Sequence, residues 1–291
     1  MELAPQMLVD AILLGGVYTL MVIGLALSFG ITRVINFAHG EAIMFGAYGA
    51  FWLLTVWGID PLLSLPLLLA GGFVAGFLVY ETAVKRVLHA PHINQILLTF
   101  GLGLIFQNVA LILWTGDERS ANPSWAFDAF EFDMVVVPYG RLIGFAVAML
   151  LVALLFGWLR WTELGRASRA LAEHNEAAQL VGINVSLTYG IAFGISVALG
   201  VAMGVLVSFL AAINPFMGFH MLVKGFAILI LGGLGNIMGA VFGAFILAFV
   251  ETGVGYYVPN GIGWAEGMAF AILFAILVLR PRGLLGQEVE G

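Results

Sequence analysis

Three polar side chains stand close together in an otherwise apolar stretch near the start of the chain. Asn36, His39 and Glu41 belong to the string NFAHGE, which separates two long uncharged runs. An imidazole two residues from a carboxylate can relay protons or contribute to a metal site. Because protein metal sites use several such ligands and this string supplies one histidine and one carboxylate, we predict no metal ion and no cofactor here. Ionisable side chains within apolar runs are costly, so they commonly mark a polar path.

A purely structural explanation of the same string is also open. Asparagine is a residue type that caps helix N-termini, so Asn36 is a candidate cap that places Glu41 in the first turn of the following helix. The Glu41 carboxylate has three candidate partners, namely the Arg33 guanidinium, the His39 ring and the N-terminus of a broken helix. The string therefore predicts either the lining of a path or a helix start.

The sequence lacks the signatures of the common catalytic sites. It contains no G-x-x-x-x-G-K-[ST] phosphate-binding loop, and its lysines are Lys85 and Lys224 alone. It contains neither G-x-S-x-G nor H-E-x-x-H, and it has no cysteine for a disulfide or a thiolate metal site. We therefore predict that the protein is not an enzyme and that any ATP driving it is hydrolysed by another polypeptide. We expect Lys224, which lies between two apolar runs, to extend to the membrane interface rather than to line a path.

The elements that carry these residues follow from the placement of charge. Hydrophobic residues make up 62% of the 291 residues and charged residues 10%, against about 25% in soluble domains. Uncharged runs extend over residues 11–32, 42–59, 61–80, 93–116, 142–159, 177–223 and 225–250. About 20 helical residues cross a lipid bilayer, so we predict one transmembrane domain over residues 1–291, an all-α polytopic membrane protein of about eight transmembrane helices. The net charge of −6 without a basic block argues against a nucleic-acid partner.

Positive residues in short loops mark the cytoplasmic side of a membrane protein. Three segments qualify, namely Lys85 with Arg86, the stretch 160–169, and Arg280 with Arg282. The predicted spans are at about 93–114, 141–160, 187–213 and 262–279, and the stretch 217–252 must cross twice or enter and leave from one side. The loop at about 115–140 holds five acids and one arginine, which places it on the outer, periplasmic side. The topology of the first 60 residues stays open.

Two interruptions of the apolar pattern are predicted to border a translocation path. They are NFAHGE and GGLGN, and they precede the similar strings IMFGAYGAFWL (43–53) and IMGAVFGAFIL (237–247), which are identical at six of eleven positions. Broken helices in corresponding positions of two halves point to a transport site. We therefore predict discontinuous or re-entrant segments, while an internal repeat and a chance match of Gly/Ala-rich helices both stay open. The residues assigned to the path are Asn36, His39, Glu41, Gly233, Gly235 and Asn236.

A polar stretch on the predicted cytoplasmic side has the period of an amphipathic helix. Its apolar positions recur every three or four residues; they are Ala167, Ala170, Leu171, His174, Ala178 and Val181. Arg166, Arg169, Glu173 and Glu176 occupy the other faces, and Gly182 stands where a helix C-terminus would close. A short helix tied to two spans fits a rigid lever against a soluble partner and, equally, an interfacial helix resting on lipid headgroups.

Several strings of the sequence resemble one family of transporters. EAAQLVG at 176–182 fits E-A-A-x-x-x-G, the loop by which permeases of ATP-binding-cassette (ABC) importers dock on their ATPase. INFAHGEAIMFGAY at 35–48 resembles the N-terminal signature of the LivH-type branched-chain amino acid permeases. GRASRALAEHNEAAQLVGIN and GGLGNIMGAVFGAFI resemble that family's central and C-terminal signatures in the same order, so the resemblance covers residues 10–286. The I-x-L-P ending of maltose-type importer loops is absent, which places the chain outside that subgroup.

The resemblance implies a fold and a set of partners. It implies a type II-like ABC importer permease for branched-chain or related amino acids in the bacterial inner membrane. It also implies a second homologous permease, two ABC ATPase subunits and a periplasmic substrate-binding protein. The segment at about 163–184 would be the coupling helix, and the residues assigned to ATPase coupling are Arg166, Arg169, Glu173, Glu176, Ala177, Ala178 and Gly182. The alternatives are an ion-coupled secondary carrier and an ABC permease for urea or short amides.

Overall fold

The computed structural model describes residues 4–132, 135–280 and 283–285, and most of them are helical. The helices in that part of the chain are α1 (Ala4–Thr32), α2 (His39–Trp57), α3 (Pro61–Val79), α4 (Lys85–Val87), α5 (His92–Trp114), α6 (Tyr139–Trp161), α7 (Glu163–Glu173), α8 (Asn175–Leu180), α9 (Val185–Leu210), α10 (Met217–Gly232), α11 (Ile237–Tyr257) and α12 (Gly261–Leu279). A π-helical turn, Tyr80–Val84, joins α3 to α4 without a break. A 3₁₀ turn (Ser124–Phe127) and a hairpin of β1 (Ala129–Phe132) with β2 (Val135–Pro138) lie between α5 and α6.

The prediction of an all-α polytopic membrane protein is confirmed. Among the described residues, six helical segments are long and apolar enough to cross a membrane, namely α1, α3 with its extension to Val87, α5, α6, α9 and α11. The helix α10 is apolar but shorter, and α2 and α12 each have 19 residues. The predicted spans at about 93–114 and 141–160 correspond closely to α5 and α6. The total of about eight spans stays a prediction.

Two helices form the centre of the protein. The apolar windows of α1 and α9 are 83% buried, whereas those of α3 and α5 are 17% buried. Small residues allow this centre to pack closely, as expected where lipid provides no hydrophobic drive between helices. A Cβ atom on Gly204 of α9 would collide with the carbonyl oxygen of Ile43 in α2. The backbones of α2 and α9 can approach this closely only because residue 204 is glycine.

One end of the helical bundle is covered by residues 115–140, and we call this end the loop side. Side-chain and backbone hydrogen bonds join this loop to the ends of four helices. The pairs are Trp125 with Asp60, Ala121 with Ser208, Arg119 with Ile213, and Val136 with Gln6. Because Gln6 lies in the first turn of α1 and Asp60 follows α2, these contacts show that α1 starts and α2 ends on the loop side.

The opposite end carries α7 and α8, and we call it the coupling side. Arg33, directly after α1, donates a hydrogen bond to the Ala172 carbonyl of α7 at 3.2 Å. The N–H groups of Leu284 and Leu285, which follow α12, donate to carbonyls at the end of α10. Tyr80, in the turn before α4, packs against Gly190 near the start of α9. The structure thus gathers α4, the coupling segment and Arg280 at one end, as the distribution of positive charge predicts, while Arg282 lies outside the described residues. The first 60 residues therefore cross to the coupling side in α1 and return in α2.

Both predicted interruptions of helical structure are confirmed. The first separates α1 from α2, and the second separates α10 from α11. Tyr256 near the end of α11 donates a hydrogen bond to Asp10 near the start of α1 at 2.6 Å, so α11 runs towards the loop side. Since α2 also ends there, the two similar strings at 43–53 and 237–247 run in the same direction, which the sequence left unassigned.

Candidate functional site

The first interruption is a short loop that re-enters the protein. Asn36 is 3% exposed, and its Oδ1 accepts a hydrogen bond from the Ala38 N–H at 3.0 Å. This side-chain bond reverses the chain two residues before α2, as an Asx turn does. Ala38 occupies the N-cap position of α2 and makes no side-chain cap. The expectation that Asn36 caps α2 is therefore wrong, because its amide oxygen accepts from Ala38, which is itself the N-cap residue.

The His39 side chain is wedged between α1 and α9. It is 1% exposed, and Cβ atoms built on Gly24 and Gly200 would lie 2.7 and 3.1 Å from its Cε1. On the same level Ser196 Oγ donates to the Gly24 carbonyl at 2.7 Å and joins α1 to α9. The ring therefore fills a slot that only glycines leave open. This position makes His39 a packing residue at the start of α2.

Glu41 lies where the first turns of two helices meet. It is in the first turn of α2, and the backbones of Gly40 and Gly218 touch there, so the first turn of α10 is beside it. A Cβ atom on Gly218 would lie 2.9 Å from the Glu41 Oε2 atom. Glu41 is 5% exposed, and its Oε2 has no hydrogen-bond partner among the described residues. Within the same part of the chain it pairs with neither Arg33 nor His39.

Glu41 is one of the residues that line a cavity of about 460 Å³ between α2, α5 and the start of α10. The other lining residues are mostly aromatic or apolar; they are Phe37, Phe100, Gly103, Leu104, Gln107, Phe216, Phe219 and His220. We call this space the Glu41 cavity. Gly103 lies midway along α5, so the cavity is at mid-depth of an apolar span. A carboxylate at that depth is costly and marks a functional site by default.

Asn36 lines a different cavity, of about 300 Å³, on the other side of α2. This second cavity lies between α2, α3, α5 and α9 and is apolar apart from Asn36 and Thr99. Thr99 Oγ1 donates to the Ile35 carbonyl at 3.1 Å, which holds the re-entrant loop against α5. The three polar residues of the string thus have three different surroundings, although they lie within six positions of one another.

The second interruption is a glycine turn at the coupling side. Gly233 and Gly235 have φ angles of 106° and 81°, which a residue with a Cβ atom adopts only under strain. Asn236 Oδ1 caps α11 by accepting from the Gly239 N–H at 2.9 Å, and a Cβ on Gly235 would approach Gly30 at the end of α1.

The structure does not bring the two interruptions together. The Glu41 cavity touches the start of α10 at Gly218, whereas the glycine turn follows its end at Gly232. The helical rise makes the separation along α10 roughly 20 Å. The two predicted path elements therefore lie at different depths, one in the middle and one at the coupling side.

The coupling segment is two helices rather than one. His174 has extended backbone angles, φ −144° and ψ 96°, and it separates α7 from α8. The prediction of one continuous amphipathic helix is therefore wrong, since the direction of the chain changes at His174. Leu171 and Ala178 are buried against the protein, but Val181, which the period placed on the same face, is 78% exposed. The remaining positions assigned to ATPase coupling, Arg166, Arg169, Glu173, Glu176, Ala177 and Gly182, are exposed.

Gly182 closes α8 as its position in the sequence predicted. Its φ is +87°, its N–H donates to the Gln179 carbonyl, and the Ile183 N–H donates to the Ala178 carbonyl. This pair of bonds is the Schellman motif, which uses a left-handed residue after the helix. Asn184 then caps α9 by accepting from the Leu187 N–H at 3.0 Å. The turn thus passes directly from α8 into a central membrane helix.

A buried ion cluster was not found from the sequence. Lys224 Nζ lies 2.8 Å from Glu251 Oε1 and 3.1 Å from Tyr18 Oη, and the Lys224 side chain is 16% exposed. Glu266 Oε1 of α12 is 3.5 Å from the same nitrogen. The expectation that Lys224 extends to the interface is wrong, because Glu251 offers it a counter-charge inside the protein. Opposite charges ending two neighbouring apolar runs were the available signal.

A second polar cluster, also missed from the sequence, joins α1, α6 and α11 at the loop side. Arg141 Nη1 lies 2.9 Å from Asp10 Oδ1, and the Asp10 carboxylate also accepts from Tyr256 and Gln6. These bonds connect the first turns of α1 and α6 with the last turn of α11. These bonds hold helix ends together at the loop side, and none of the residues that form them lines the Glu41 cavity.

The structure has a re-entrant loop at mid-depth and a two-helix coupling segment joined to the central helices. Comparison with known proteins identifies the family. Residues 7–277 match the family described as branched-chain amino acid transport system / permease component. The chain belongs to this family. The predicted resemblance to LivH-type permeases is confirmed, and membership implies ATPase and substrate-binding partners.

Two curated relatives match over nearly their whole length. The high-affinity branched-chain amino acid transport system permease protein BraD of Pseudomonas aeruginosa is 31% identical over 303 residues, covering 98% of this chain and 97% of the relative. LivH of Salmonella typhimurium, which carries the same description, is 32% identical over 306 residues, covering 98% and 96%. The chain therefore aligns with both relatives over nearly its whole length.

A solved structure supports the fold alone. PsaBC from Streptococcus pneumoniae, in complex with a Fab, superposes with a TM-score of 0.51 at 12% identity, covering 95% of this chain and 92% of that one. At this identity the likeness shows a common helical architecture.

Proposed function

We propose that the protein is a membrane subunit of an ABC importer that takes up branched-chain or related amino acids. Family membership and near full-length similarity to BraD and LivH support this proposal. The subunit would lie in the bacterial inner membrane as one transmembrane domain over residues 1–291, with the loop at 115–140 in the periplasm. Its complex would contain a second homologous permease, two ATPase subunits and a periplasmic substrate-binding protein.

The observation that carries the coupling role is the exposed end of α8. Leu180 and Val181 are 89% and 78% exposed, whereas Ala178 is 4% exposed and holds α8 on the protein. Apolar side chains exposed on a polar segment indicate a surface that a partner covers. The exposed residues Arg166, Arg169, Glu173, Glu176, Ala177 and Gly182 would surround this contact with an ATPase.

The attachments of the coupling segment would transmit the movement of an ATPase. Thr162 alone separates α6 from α7, the Gly182 turn leads into α9, and Arg33 joins α7 to the end of α1. A push on α7 and α8 would therefore reach α1 and α9, the two central helices. Rigid helices with discrete attachments are the elements by which such coupling travels.

The translocation path would be bordered by both interruptions. Glu41 and Asn36 line cavities at mid-depth, and His39 holds the start of α2 between the central helices. Gly233, Gly235 and Asn236 would border the exit at the coupling side. Movement of α2 or α10 relative to α5 would change the width of the Glu41 cavity.

Crosslinking in the reconstituted complex tests the coupling role. The chain has no cysteine, so Glu173→Cys and Gln179→Cys each introduce a unique thiol. Both are expected to crosslink to an ATPase subunit, whereas Ser124→Cys and Phe130→Cys in the loop serve as controls that do not. Crosslinks to the ATPase from the loop positions would invert the topology and contradict the proposal.

Uptake into proteoliposomes tests the substrate and the energy source. Radiolabelled leucine uptake should require ATP and an intact ATPase, and excess isoleucine or valine should compete. Uptake that continues with a catalytically inactive ATPase and stops with a protonophore would indicate an ion-coupled secondary carrier. Competition by urea or acetamide rather than by amino acids would indicate a permease for short amides.

A further inference from the structure

Among the described residues, no cationic side chain forms an ion pair with Glu41, which lines the Glu41 cavity. Glu41 is 5% exposed, its Oε2 has no hydrogen-bond partner among the described residues, and the side chain lines the cavity. The cations nearest in the sequence lie elsewhere, since Arg33 bonds Ala172 at the coupling side and Lys224 pairs with Glu251. A buried charge is costly unless it is paired. The protein therefore keeps an acidic group that something else must satisfy.

The local backbone places two helix N-termini beside this carboxylate. Glu41 lies in the first turn of α2 and beside the first turn of α10, because the Gly40 and Gly218 backbones are in contact. Helix N-termini carry partial positive charge and stabilise a nearby anion. The place of the carboxylate also depends on Gly218, whose Cβ would lie 2.9 Å from Oε2.

The other walls of the cavity suit an apolar group attached to a cation. Four phenylalanines line the cavity, namely Phe37, Phe100, Phe216 and Phe219. Phe37 and Phe100 meet edge to face with centroids 6.3 Å apart, and Phe216 and Phe219 are about half exposed. Aromatic faces attract cations and also contact alkyl groups. Gln107 and His220 complete the lining, so the cavity combines mostly apolar walls with a few polar groups, which is typical of a small-molecule site.

We propose that the Glu41 carboxylate binds the primary ammonium group of an amino acid in transit, with the alkyl side chain against the surrounding phenylalanines. This inference rests on the proposed function, since it places the importer's substrate in the Glu41 cavity. The site would select for the cationic nitrogen of the amino acid and would make no contact with its carboxylate. The permease would then contribute its own chemical selection in addition to that of the binding protein.

Charge-selective labelling tests the site without relying on transport. Gln107 lines the same cavity, so Gln107→Cys places the chain's only thiol beside Glu41. In the assembled complex, Gln107→Cys is labelled with 2-aminoethyl or 2-sulfonatoethyl methanethiosulfonate, and the rate is followed by mass spectrometry of this chain. Each rate is divided by the rate of the same reagent with a small thiol in solution. A buried carboxylate should favour the cationic reagent by about tenfold or more. Glu41→Gln should abolish this preference, and Glu41→Asp should retain it.

Matched variants and ligands separate a binding site from a structural role. Glu81→Gln removes a carboxylate from a surface pair with Lys85 and should leave the preference unchanged. Leucine and isopentylamine should slow labelling of Gln107→Cys, whereas 4-methylpentanoate, which lacks the nitrogen, should not. Equal protection by all three would overturn the ammonium assignment, and so would an unchanged reagent preference in Glu41→Gln or a thiol unreactive in every nucleotide state.

The proposed function and the ammonium site fail differently. If the wild-type complex takes up leucine but Glu41→Gln keeps the preference for the cationic reagent, the ammonium site is contradicted and the proposed function is not. A wild-type complex that takes up no amino acid contradicts the proposed function, and protection by leucine in the same preparation would still support the site. If Glu41→Gln does not accumulate in the membrane, Glu41→Asp is compared with the parent Gln107→Cys chain, each with the three ligands. Retention of the reagent preference and of protection by leucine and isopentylamine supports the site, and loss of either contradicts it.

Discussion

The Arg33 guanidinium donates a hydrogen bond to the Ala172 carbonyl at 3.2 Å, and this contact joins the end of a central helix to the coupling segment. The two residues are 139 positions apart in the sequence. Arg33 also has a left-handed backbone, with φ 59°, which is strained for a residue other than glycine. The contact is therefore held by a strained residue at the point where α1 meets α7.

We expect Arg33→Gly to reduce coupling without reducing stability. Glycine adopts the same φ more easily, so the backbone is retained while the hydrogen bond is lost. The bond is exposed, so its loss should cost little stability while removing one attachment of the coupling segment, and binding-protein-stimulated ATP hydrolysis should fall by about fivefold or more. Thermal stability and ATPase stimulation of the purified complex are the measurements. A variant that couples normally would show that this bond does not transmit movement.

Gly182→Pro is expected to uncouple the protein without preventing its insertion. Proline requires φ near −65° and has no N–H, whereas Gly182 has φ +87° and donates to Gln179. The α9 helix begins after this turn and should still insert. We expect near wild-type abundance in the membrane with leucine uptake lost, measured by immunoblot and uptake. Gly182→Ala is the milder control, costing about 1–2 kcal/mol for its left-handed φ. Absence of Gly182→Pro from the membrane would show that the turn is needed for folding.

Breaking the buried Lys224–Glu251 pair should destabilise the protein strongly. Both side chains are largely buried, at 16% and 9% exposure, so removing one leaves an uncompensated charge. We expect Lys224→Met to cost about 3–5 kcal/mol, visible as a lower unfolding temperature in detergent. The double variant Lys224→Met with Glu251→Gln should recover much of this loss. A double variant as unstable as the single one would mean that packing of the lysine, rather than its charge, is what matters.

Cysteines at the two interruptions should be accessible from different places. Ala38 lines a mid-depth cavity, and Leu234 is 44% exposed in the glycine turn at the coupling side. A membrane-impermeant thiol reagent should label Leu234→Cys from the cytoplasmic side. Labelling of Ala38→Cys should change when the ATPases are trapped with nucleotide. If both positions stay unlabelled from either side in every state, the interruptions are buried packing breaks and do not border a path.

The linear sequence determined the features that depend on local composition. Runs without charge predicted the membrane helices, because about 20 apolar residues are needed to cross the hydrocarbon core. Glycine at 182 predicted a helix end, since a left-handed residue closes a helix with little strain. Glycine clusters and the polar string at 36–41 predicted both interruptions, and the family strings were readable in order. Positive residues predicted which helix ends lie together.

Tertiary structure alone decided which polar groups meet and which stay alone. Lys224, Glu251 and Tyr18 contact one another, and these contacts join residues up to 233 positions apart, beyond what periodicity can indicate. Gly40 and Gly218 allow two helix starts to touch, and the Glu41 Oε2 beside them has no hydrogen-bond partner among the described residues. His174 breaks the coupling segment, although its period continues. Pairing of buried charges depends on how helices from the whole chain pack together. The local sequence does not determine the spatial distance between two side chains that are far apart along the chain.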